Sequence, residues 1–361
     1  MKINQVLLLF LLVFFNCNSE KSIQLNFLDE YIIKDSINFN NSIVGGLSGV
    51  DYANNQYYFV VDDASKPRVL LADINIRKDT ISGITFKKNI HLNDSTEQFY
   101  EDNHLDLESI FVDVNNHINL TSEGSIKRDK NPTIFKIDAS GKFIGHTKIP
   151  NYFNANSVFK PKHNGVFEGS TKSLDASGFW VAMESPLEAD GEEPTFHKTQ
   201  SPVRITFYDA KTNKATKQFA YLLDKIDKPA KGSLNLNGLT AILEYAKNQF
   251  FIIERAYQSG YGSHGNVVRI YKSTLKKTTT TTLEFNSLRD QEYVPIEKEL
   301  VLDFSTIQDK LTDGIIDNIE GITLGPKLSN GNQSLLLISD DNFQIYGKQL
   351  NQFILLEILR K

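Results

Sequence analysis

Residues 46–63 contain Gly46-Leu47-Ser48-Gly49 and then Tyr57-Tyr58-Phe59-Val60-Val61-Asp62-Asp63. The first part is a turn that leads into an apolar run, and the second is an apolar run that ends on acids. This two-part phrase returns four more times. The later copies are Leu107-Glu108-Ser109-Ile110 with Ile118-Asn119-Leu120-Thr121-Ser122-Glu123, Phe167-Glu168-Gly169-Ser170 with Phe179-Trp180-Val181-Ala182-Met183-Glu184, Asn237-Gly238-Leu239-Thr240 with Phe250-Phe251-Ile252-Ile253-Glu254, and Ile319-Glu320-Gly321-Ile322 with Leu335-Leu336-Leu337-Ile338-Ser339-Asp340-Asp341. An internal repeat indicates the fold before any single residue is interpreted.

The segments between these phrases hold further short apolar runs, rich in Val, Ile, Phe and Tyr and bounded by turn residues. Such runs are typical of β-strands. Each repeat then amounts to about four antiparallel strands, which is the pattern of a propeller blade. A two-sheet sandwich also has short alternating strands, but it does not repeat its motif in register. We therefore predict an all-β fold, a β-propeller of five or six four-stranded antiparallel blades.

Residues 23–361 read as a single propeller domain, because no linker-like stretch divides them. We expect a strand over 24–33 to pair with a strand over 353–359 and close the ring. A sixth, degenerate blade has room in the intervals after Ala189 or after Tyr271.

The first sixteen residues have the pattern of a signal peptide. Lys2 precedes ten apolar residues, Val6 to Phe15, which are too few to span a bilayer. The only cysteine, Cys17, follows at the position of a lipidated residue. We predict an exported protein of the cell envelope, anchored through Cys17; ordinary secretion to the periplasm or outside, or an uncleaved anchor, is the alternative. The only expected membrane contact is this N-terminal anchor.

The bulk composition excludes one class of partner. The formal net charge is −5 and the pI is about 5.9, whereas nucleic-acid binders carry basic patches or a high pI. We therefore expect no nucleic acid; the expectation of a small anionic or ester substrate comes from the basic residues and the resemblance described below.

Strand direction brings the repeated acids together. In an antiparallel hairpin, the start of the first strand and the end of the second lie at the same edge. The innermost strands of a propeller line its channel, so these acids should surround one mouth of it. The predicted catalytic acids are Glu108, Glu168 and Glu320, and the predicted metal ligands are Glu123, Glu184, Glu254, Asp340 and Asp341. Asn237 stands where the fourth copy lacks an acid.

Basic residues follow several of these acids, and we predict that Arg68, Arg128, Lys172 and Arg255 bind an anionic ligand. A ring of carboxylates repels itself unless cations relieve it. Ca²⁺ takes six to eight oxygen ligands, so it is the predicted cofactor, with no organic cofactor expected. In the alternative, each acid only bonds backbone amides at a turn. A serine nucleophile at Ser48 lacks the required spacing, and the scattered histidines show no zinc motif.

Six blocks of the chain resemble the phytase-like family known as "esterase-like activity of phytase". They are Gly45-Gly46-Leu47-Ser48-Gly49-Val50-Asp51-Tyr52, Asp106-Leu107-Glu108-Ser109-Ile110, Phe167-Glu168-Gly169-Ser170, Trp180-Val181-Ala182-Met183-Glu184, Ile253-Glu254-Arg255 and Asn318-Ile319-Glu320-Gly321-Ile322. The resemblance covers roughly residues 25–358. It implies a β-propeller, usually exported, with a phosphoesterase or esterase activity, but no agreed catalytic residue. The Asp-rich calcium motifs of the alkaline β-propeller phytases have no counterpart here.

Two functions from different classes are open at this point. The first is a Ca²⁺-assisted hydrolase of phosphate or other esters at the acidic mouth. The second is a non-catalytic propeller that binds an anionic ligand or a protein partner at the same rim, since one fold hosts many functions.

Overall fold

The computed structural model describes residues 22–92 and 97–361. The predicted signal peptide and Cys17 lie outside these residues. Within the described part, none of the helices has the length and apolar character needed to cross a membrane.

The described residues form five four-stranded antiparallel sheets and one small hairpin. The first strand and the hairpin are β1 (Ile23–Ile33), β2 (Asn38–Phe39) and β3 (Ser42–Ile43). Blade 1 is β4 (Leu47–Ala53), β5 (Gln56–Val61), β6 (Arg68–Arg77) and β7 (Thr80–His91); blade 2 is β8 (Leu107–Val112), β9 (Ile118–Ser122), β10 (Thr133–Ile137) and β11 (Phe143–His146). Blade 3 is β12 (Phe167–Lys172), β13 (Gly178–Met183), β14 (Pro202–Asp209) and β15 (Lys214–Leu222); blade 4 is β16 (Asn235–Ala246), β17 (Gln249–Gln258), β18 (Asn266–Thr274) and β19 (Glu297–Asp303). Blade 5 is β20 (Asn318–Lys327), β21 (Gln333–Asp340), β22 (Asn351–Arg360) and β1.

Helices are short and lie between the strands. The α-helix is α1 (Gln98–Asp102). The 3-10 helices are Ile126–Arg128, Asn151–Phe153, Gly262–His264, Phe304–Thr306, Gln308–Lys310, Thr312–Gly314 and Asn342–Gln344.

The first strand of each blade lines a central channel. β4 packs on β8, β8 on β12, β12 on β16, β16 on β20, and β20 returns to β4. The predicted propeller is confirmed, and the described residues give it five blades. The intervals that had room for a sixth blade belong to blades 3 and 4.

The ring closes inside blade 5, where the N-terminal strand is the outer partner of the C-terminal one. Gln24 lies opposite Leu359, and Ile33 lies opposite Asn351. This confirms the predicted closure. Closure of this kind matters because each blade covers its apolar faces only with its neighbours.

Local sequence explains the tight turns within blades. Asn54 and Asn55 join β4 to β5 with φ angles of 53° and 61°, and Lys78 and Asp79 join β6 to β7 with 50° and 63°. Two-residue hairpins of this kind need positive φ at both positions, which Asn and Asp tolerate better than other side chains.

The core lies between neighbouring blades. Phe59 of blade 1 and Phe353 of blade 5 meet edge to face, with ring centroids 5.7 Å apart, and both are fully buried. Trp180 of blade 3 packs against Phe250 of blade 4 at 5.1 Å. Truncation of such a buried aromatic residue costs about 3–5 kcal/mol. This packing holds the five innermost strands around the channel.

Candidate functional site

Every blade has a β-bulge at the same place, where the first strand begins. The register between the first and second strands shifts at 47/49, 107/110, 167/169, 239/241 and 319/321. A bulge leaves a residue unpaired and redirects its side chain. The residue that follows the start of each shift is bulged. These residues are Ser48, Glu108, Glu168, Thr240 and Glu320. The three predicted catalytic acids therefore occupy equivalent positions in three blades.

The two blades without a glutamate have hydroxyl groups at the bulge. Ser48 Oγ donates to the carbonyl oxygen of Leu107 at 2.9 Å, and Thr240 Oγ1 donates to that of Ile319 at 2.9 Å. Each hydroxyl thus bonds the next blade at the residue before that blade's bulge glutamate. Thr240, rather than Asn237, is the fourth-blade counterpart of the glutamates.

The residues just after the second strands form the other half of the ring. The strand residues paired with the start of each bulge are Val61, Ser122, Met183, Glu254 and Ser339. The residues that follow them are Asp62, Glu123, Glu184, Arg255 and Asp340. Four acids and one arginine therefore occupy equivalent positions. We call the two rows, together with Asp106, the acidic mouth.

The carboxylates of the acidic mouth are close enough to share a cation. Glu108, Glu123 and Glu168 each offer an oxygen, and these oxygens lie within 4.8 Å of one another. All three side chains are buried. A second group, Asp62, Asp106 and Glu108, meets the same distance criterion. Oxygen-only sites of this type suit hard cations such as Ca²⁺ or Mg²⁺ rather than zinc.

Burial, together with the close approach of these acids, raises their pKa values. Burial is the main cause for Glu108, and the neighbouring carboxylates of Glu168 and Asp62 add to it, so its pKa is well above the usual range. Burial and Glu184 raise the pKa of Glu123 to about 8, although two backbone amides oppose the shift. The pKa values of Asp62, Glu168, Glu184 and Asp340 are raised as well, chiefly by burial. A bound cation would reverse this balance by favouring the charged forms.

Glu123 is held in place by the chain that enters blade 3. Its Oε1 accepts hydrogen bonds from the backbone N–H of Gly165, at 2.7 Å, and from that of Val166. The same segment carries His163, whose pKa is lowered, first by burial and then by Lys127. Arg128 acts in the same direction on His163. The predicted anion-binding Arg128 is exposed, and its charge acts on His163, two residues before Gly165.

Arg255 supplies the positive charge among the ring positions. Its Nη2 lies 3.3 Å from Oε1 of Glu320 and 3.5 Å from Oε1 of Glu184. Its Nε is buried and has no hydrogen-bond partner. Burial raises the pKa of Glu320 to about 8, while Arg255 opposes the shift. The guanidinium therefore keeps a donor free for a further acceptor.

Glu254 and Asp341 lie beside the ring rows, one residue out of register with them. Glu254 accepts hydrogen bonds from Tyr221, Asn237 and the backbone N–H of Asp224, at 2.6–2.9 Å, and pairs with Lys298 at 2.5 Å. Asp341 accepts from the backbone N–H of Gly46 at 2.8 Å and from Asn351 at 2.8 Å. The carboxylates of Glu254 and Asp341 thus have hydrogen-bond partners within the protein. Their predicted role as metal ligands stays a prediction.

Two of the predicted anion-binding residues have partners elsewhere. Arg68 is buried; it pairs with Asp63 at 2.9 Å and donates to the carbonyl of Ile43. Lys172, the last residue of β12, pairs with Asp51 of blade 1 at 2.7 Å. Lys172 lies four positions along the strand from Glu168, or about 13 Å away. Lys172 therefore lies toward the far end of the channel.

Sequence reasoning missed Asp62 and Asp106 as site residues. Asp62 was detectable, because it is the first-copy counterpart of Glu123 in the repeat. Asp106 was not detectable, because it precedes the bulge and is not part of the repeated phrase. The chain that leads into β8 brings it close to Asp62 and Glu108. Its backbone N–H donates to Ser122 Oγ at 3.0 Å, and its carbonyl accepts from the N–H of Glu123 at 2.9 Å.

Fold and site define a class: a five-bladed β-propeller whose channel mouth is lined by buried carboxylates. The family model described as "Phytase-like: Esterase-like activity of phytase" matches residues 42–343. The chain belongs to this family, as the resemblance in its sequence indicated.

Solved structures give more distant similarities. An endo-arabinase from Bacteroides thetaiotaomicron is 12% identical, with a TM-score of 0.46 and coverage of 88% of this chain and 95% of the other. The catalytic domain of a Coprinopsis cinerea GH62 α-L-arabinofuranosidase is 9% identical, with a TM-score of 0.44 and coverage of 93% and 97%. Similarities at this level carry no argument about activity. The comparison with curated proteins finds no significant match.

Proposed function

We propose that this protein is a divalent-cation-assisted hydrolase of phosphate or other esters that acts at the acidic mouth. The observation that carries the proposal is the group Glu108, Glu123 and Glu168, buried and within 4.8 Å of one another at their ligand oxygens. Buried acids at this spacing remain charged only beside a compensating cation. Membership of the phytase-like family agrees with ester hydrolysis.

The donor set fits Ca²⁺, because the cation prefers carboxylate and carbonyl oxygens and accepts irregular geometry. Glu108, Glu123 and Glu168 would hold it. When bound, the cation would supply charge stabilisation and an acidified water.

The chain's own residues supply the remaining functions. Arg255 has a buried, unpartnered Nε–H, which suits it to a phosphate or carboxylate oxygen. Burial raises the pKa of Glu320 to about 8 in the metal-free protein, so this carboxyl group can carry a proton near neutral pH. Its position beside Arg255 suits it to proton donation toward a leaving alcohol.

Export and anchoring through Cys17 remain part of the proposal. β1 begins at Ile23, opposite Arg360, and ends at Ile33, opposite Asn351 near the acidic mouth. The described chain therefore starts at the face of the ring opposite the mouth. If Cys17 carries a lipid, the described chain would begin five residues after the anchor.

The test is hydrolysis of p-nitrophenyl phosphate and p-nitrophenyl acetate by the metal-free protein supplied in turn with Ca²⁺, Mg²⁺ and Mn²⁺. We expect cation-dependent turnover that Glu168→Gln and Glu320→Gln abolish while their melting curves remain cooperative. The matched control is Glu188→Gln, which changes an exposed acid. If no ester is cleaved with any cation, the non-catalytic, ligand-binding propeller becomes the better reading.

A further inference from the structure

A second group of carboxylates adjoins the first on the blade 1 side. Asp62, Asp106 and Glu108 each offer a ligand oxygen, and these oxygens lie within 4.8 Å of one another. Glu108 belongs to both groups. The two groups are therefore neighbours that share one carboxylate.

Among the described residues, neither the shared Glu108 nor Glu168 of the first group receives a hydrogen bond on its buried carboxylate. The side chain of Glu108 is 8% exposed, and no hydrogen bond to its carboxylate is found among residues 22–92 and 97–361. Glu123, by contrast, accepts two backbone N–H groups. A buried carboxylate without a donor is costly, so its presence points to a ligand that this position receives.

The backbone holds the other two members in place. The N–H of Asp62 donates to the carbonyl of Gly46 at 2.8 Å, directly after β5. Asp106 is fixed on both sides by the end of β9, through Ser122 Oγ and the N–H of Glu123. The three carboxylates thus come from two anchored segments: Asp62 follows β5, while Asp106 and Glu108 lie just before and at the start of β8. Ligands on such anchored segments are pre-organised.

We propose that Asp62, Asp106 and Glu108 form a second divalent-cation site, and that Glu108 contributes an oxygen to both sites. The proposal rests on the proposed function, which requires only the first site. Paired cations on a shared carboxylate are suited to phosphate esters, because one phosphoryl group can interact with both charges. The substrate class is accordingly a phosphate ester rather than a neutral carboxylic ester.

Calcium titration of the full chain by isothermal calorimetry, after removal of metal with EDTA, tests the second site without relying on activity. We expect two equivalents of Ca²⁺ per chain for the unaltered protein. Asp62→Asn combined with Asp106→Asn should leave one equivalent, and Glu108→Gln should weaken both by at least about tenfold. Glu188→Gln, the exposed control, should keep two.

Asparagine and glutamine preserve side-chain size, and a thermal melt of each variant confirms that it is folded. The single variants Asp62→Asn and Asp106→Asn replace the double one if it fails to fold. If the unaltered protein binds one equivalent of Ca²⁺, and substitution of Asp62 and Asp106 does not change this binding, the second site is overturned and the proposed function stands. Two equivalents without turnover of any ester would support the site and overturn the function. No bound Ca²⁺ would overturn both cation sites.

Discussion

The Nη2 atom of Arg255 in blade 4 lies 3.3 Å from Oε1 of Glu320 in blade 5. Arg255 occupies the ring position that holds Asp62, Glu123, Glu184 or Asp340 in the other blades. Near-fivefold repetition would otherwise give a ring of acids alone. The single departure in this row is a permanent cation, because arginine does not lose its proton in proteins. The acidic mouth therefore has carboxylates on blades 1, 2, 3 and 5 and an arginine on blade 4.

Arg255→Gln should weaken the binding of inorganic phosphate to the Ca²⁺-loaded protein by about 10- to 100-fold. The reason is that a charge-assisted hydrogen bond contributes about 1.5–3 kcal/mol, and 1.4 kcal/mol corresponds to a factor of ten. Calorimetric titration of phosphate measures the effect directly. Arg255→Lys keeps the charge but loses the planar donor pair, so we expect an intermediate affinity. Equal affinities for the three proteins would remove Arg255 from the binding site.

Without metal, the protein should become less stable as the pH rises from about 5 to 8. The pKa values of Glu123 and Glu320 are raised from 4.5 to about 8 in the folded state. The folded chain therefore binds more protons than the unfolded chain across this window, and the free energy of unfolding falls as the pH increases. Excess Ca²⁺ should stabilise the protein increasingly over the same window, because it binds the deprotonated carboxylates.

The measurement for this pH dependence is the melting temperature in EDTA and in Ca²⁺ at several pH values. The variant with both Glu123→Gln and Glu320→Gln is the matched comparison, since it removes two of the shifted groups, and its melting temperature in EDTA should depend less on pH. A flat profile for the unaltered protein, or one that rises toward pH 8, would contradict the raised pKa values.

Strand direction was enough to predict where the acids gather. The start of one strand and the end of its hairpin partner must share an edge, so the convergence of Glu108 with Glu123, and of Glu168 with Glu184, follows from the repeat alone. The register between the first and second strands of each blade was harder to predict. An apolar run ending in Ile253-Glu254 resembles the other copies by letter, but the bulge at Leu239 pairs that residue with Glu254 and advances the ring position to Arg255.

Contacts between blades could not be read from the sequence. Lys172 follows Glu168 closely in the chain, yet an extended strand carries it away from the acidic mouth toward blade 1. Asp341 looks like a second ring acid, but the backbone N–H of Gly46 from the neighbouring blade occupies it. Both outcomes depend on which blade packs against which side chain, and the repeat does not encode that information.

Thr240→Ala should destabilise the fold by about 1 kcal/mol. It removes the buried bond from Thr240 Oγ1 to the carbonyl of Ile319, which joins blades 4 and 5. Thr240→Ser keeps the hydroxyl group and should recover most of the loss. Urea unfolding of the three proteins measures the difference. If the serine variant is as unstable as the alanine variant, packing of the methyl group, rather than the hydrogen bond, accounts for the contribution.

Lys172→Met should lower stability while leaving Ca²⁺ binding unchanged. Lys172 Nζ lies 2.7 Å from Asp51 Oδ2, and the backbone N–H of Val112 donates to the same oxygen at 2.8 Å. These two bonds to Asp51 therefore link the innermost strands of blades 1, 2 and 3. Lys172 is partly exposed, so solvent screening limits the expected cost to about 1–2 kcal/mol. Urea unfolding gives this cost, and calorimetry gives the Ca²⁺ affinity.

A double-mutant cycle with Asp51→Asn separates the ion pair from other effects of the substitution. A coupling energy of about 1 kcal/mol is expected if the two side chains interact as the geometry indicates. The same variant also decides the sequence-based prediction that Lys172 binds an anionic ligand. A loss of phosphate affinity in Lys172→Met, with no change in stability, would place Lys172 at the ligand and not at the far end of the channel. Retained phosphate and Ca²⁺ affinities with reduced stability would establish it as a structural residue, because the site lies about four strand residues away.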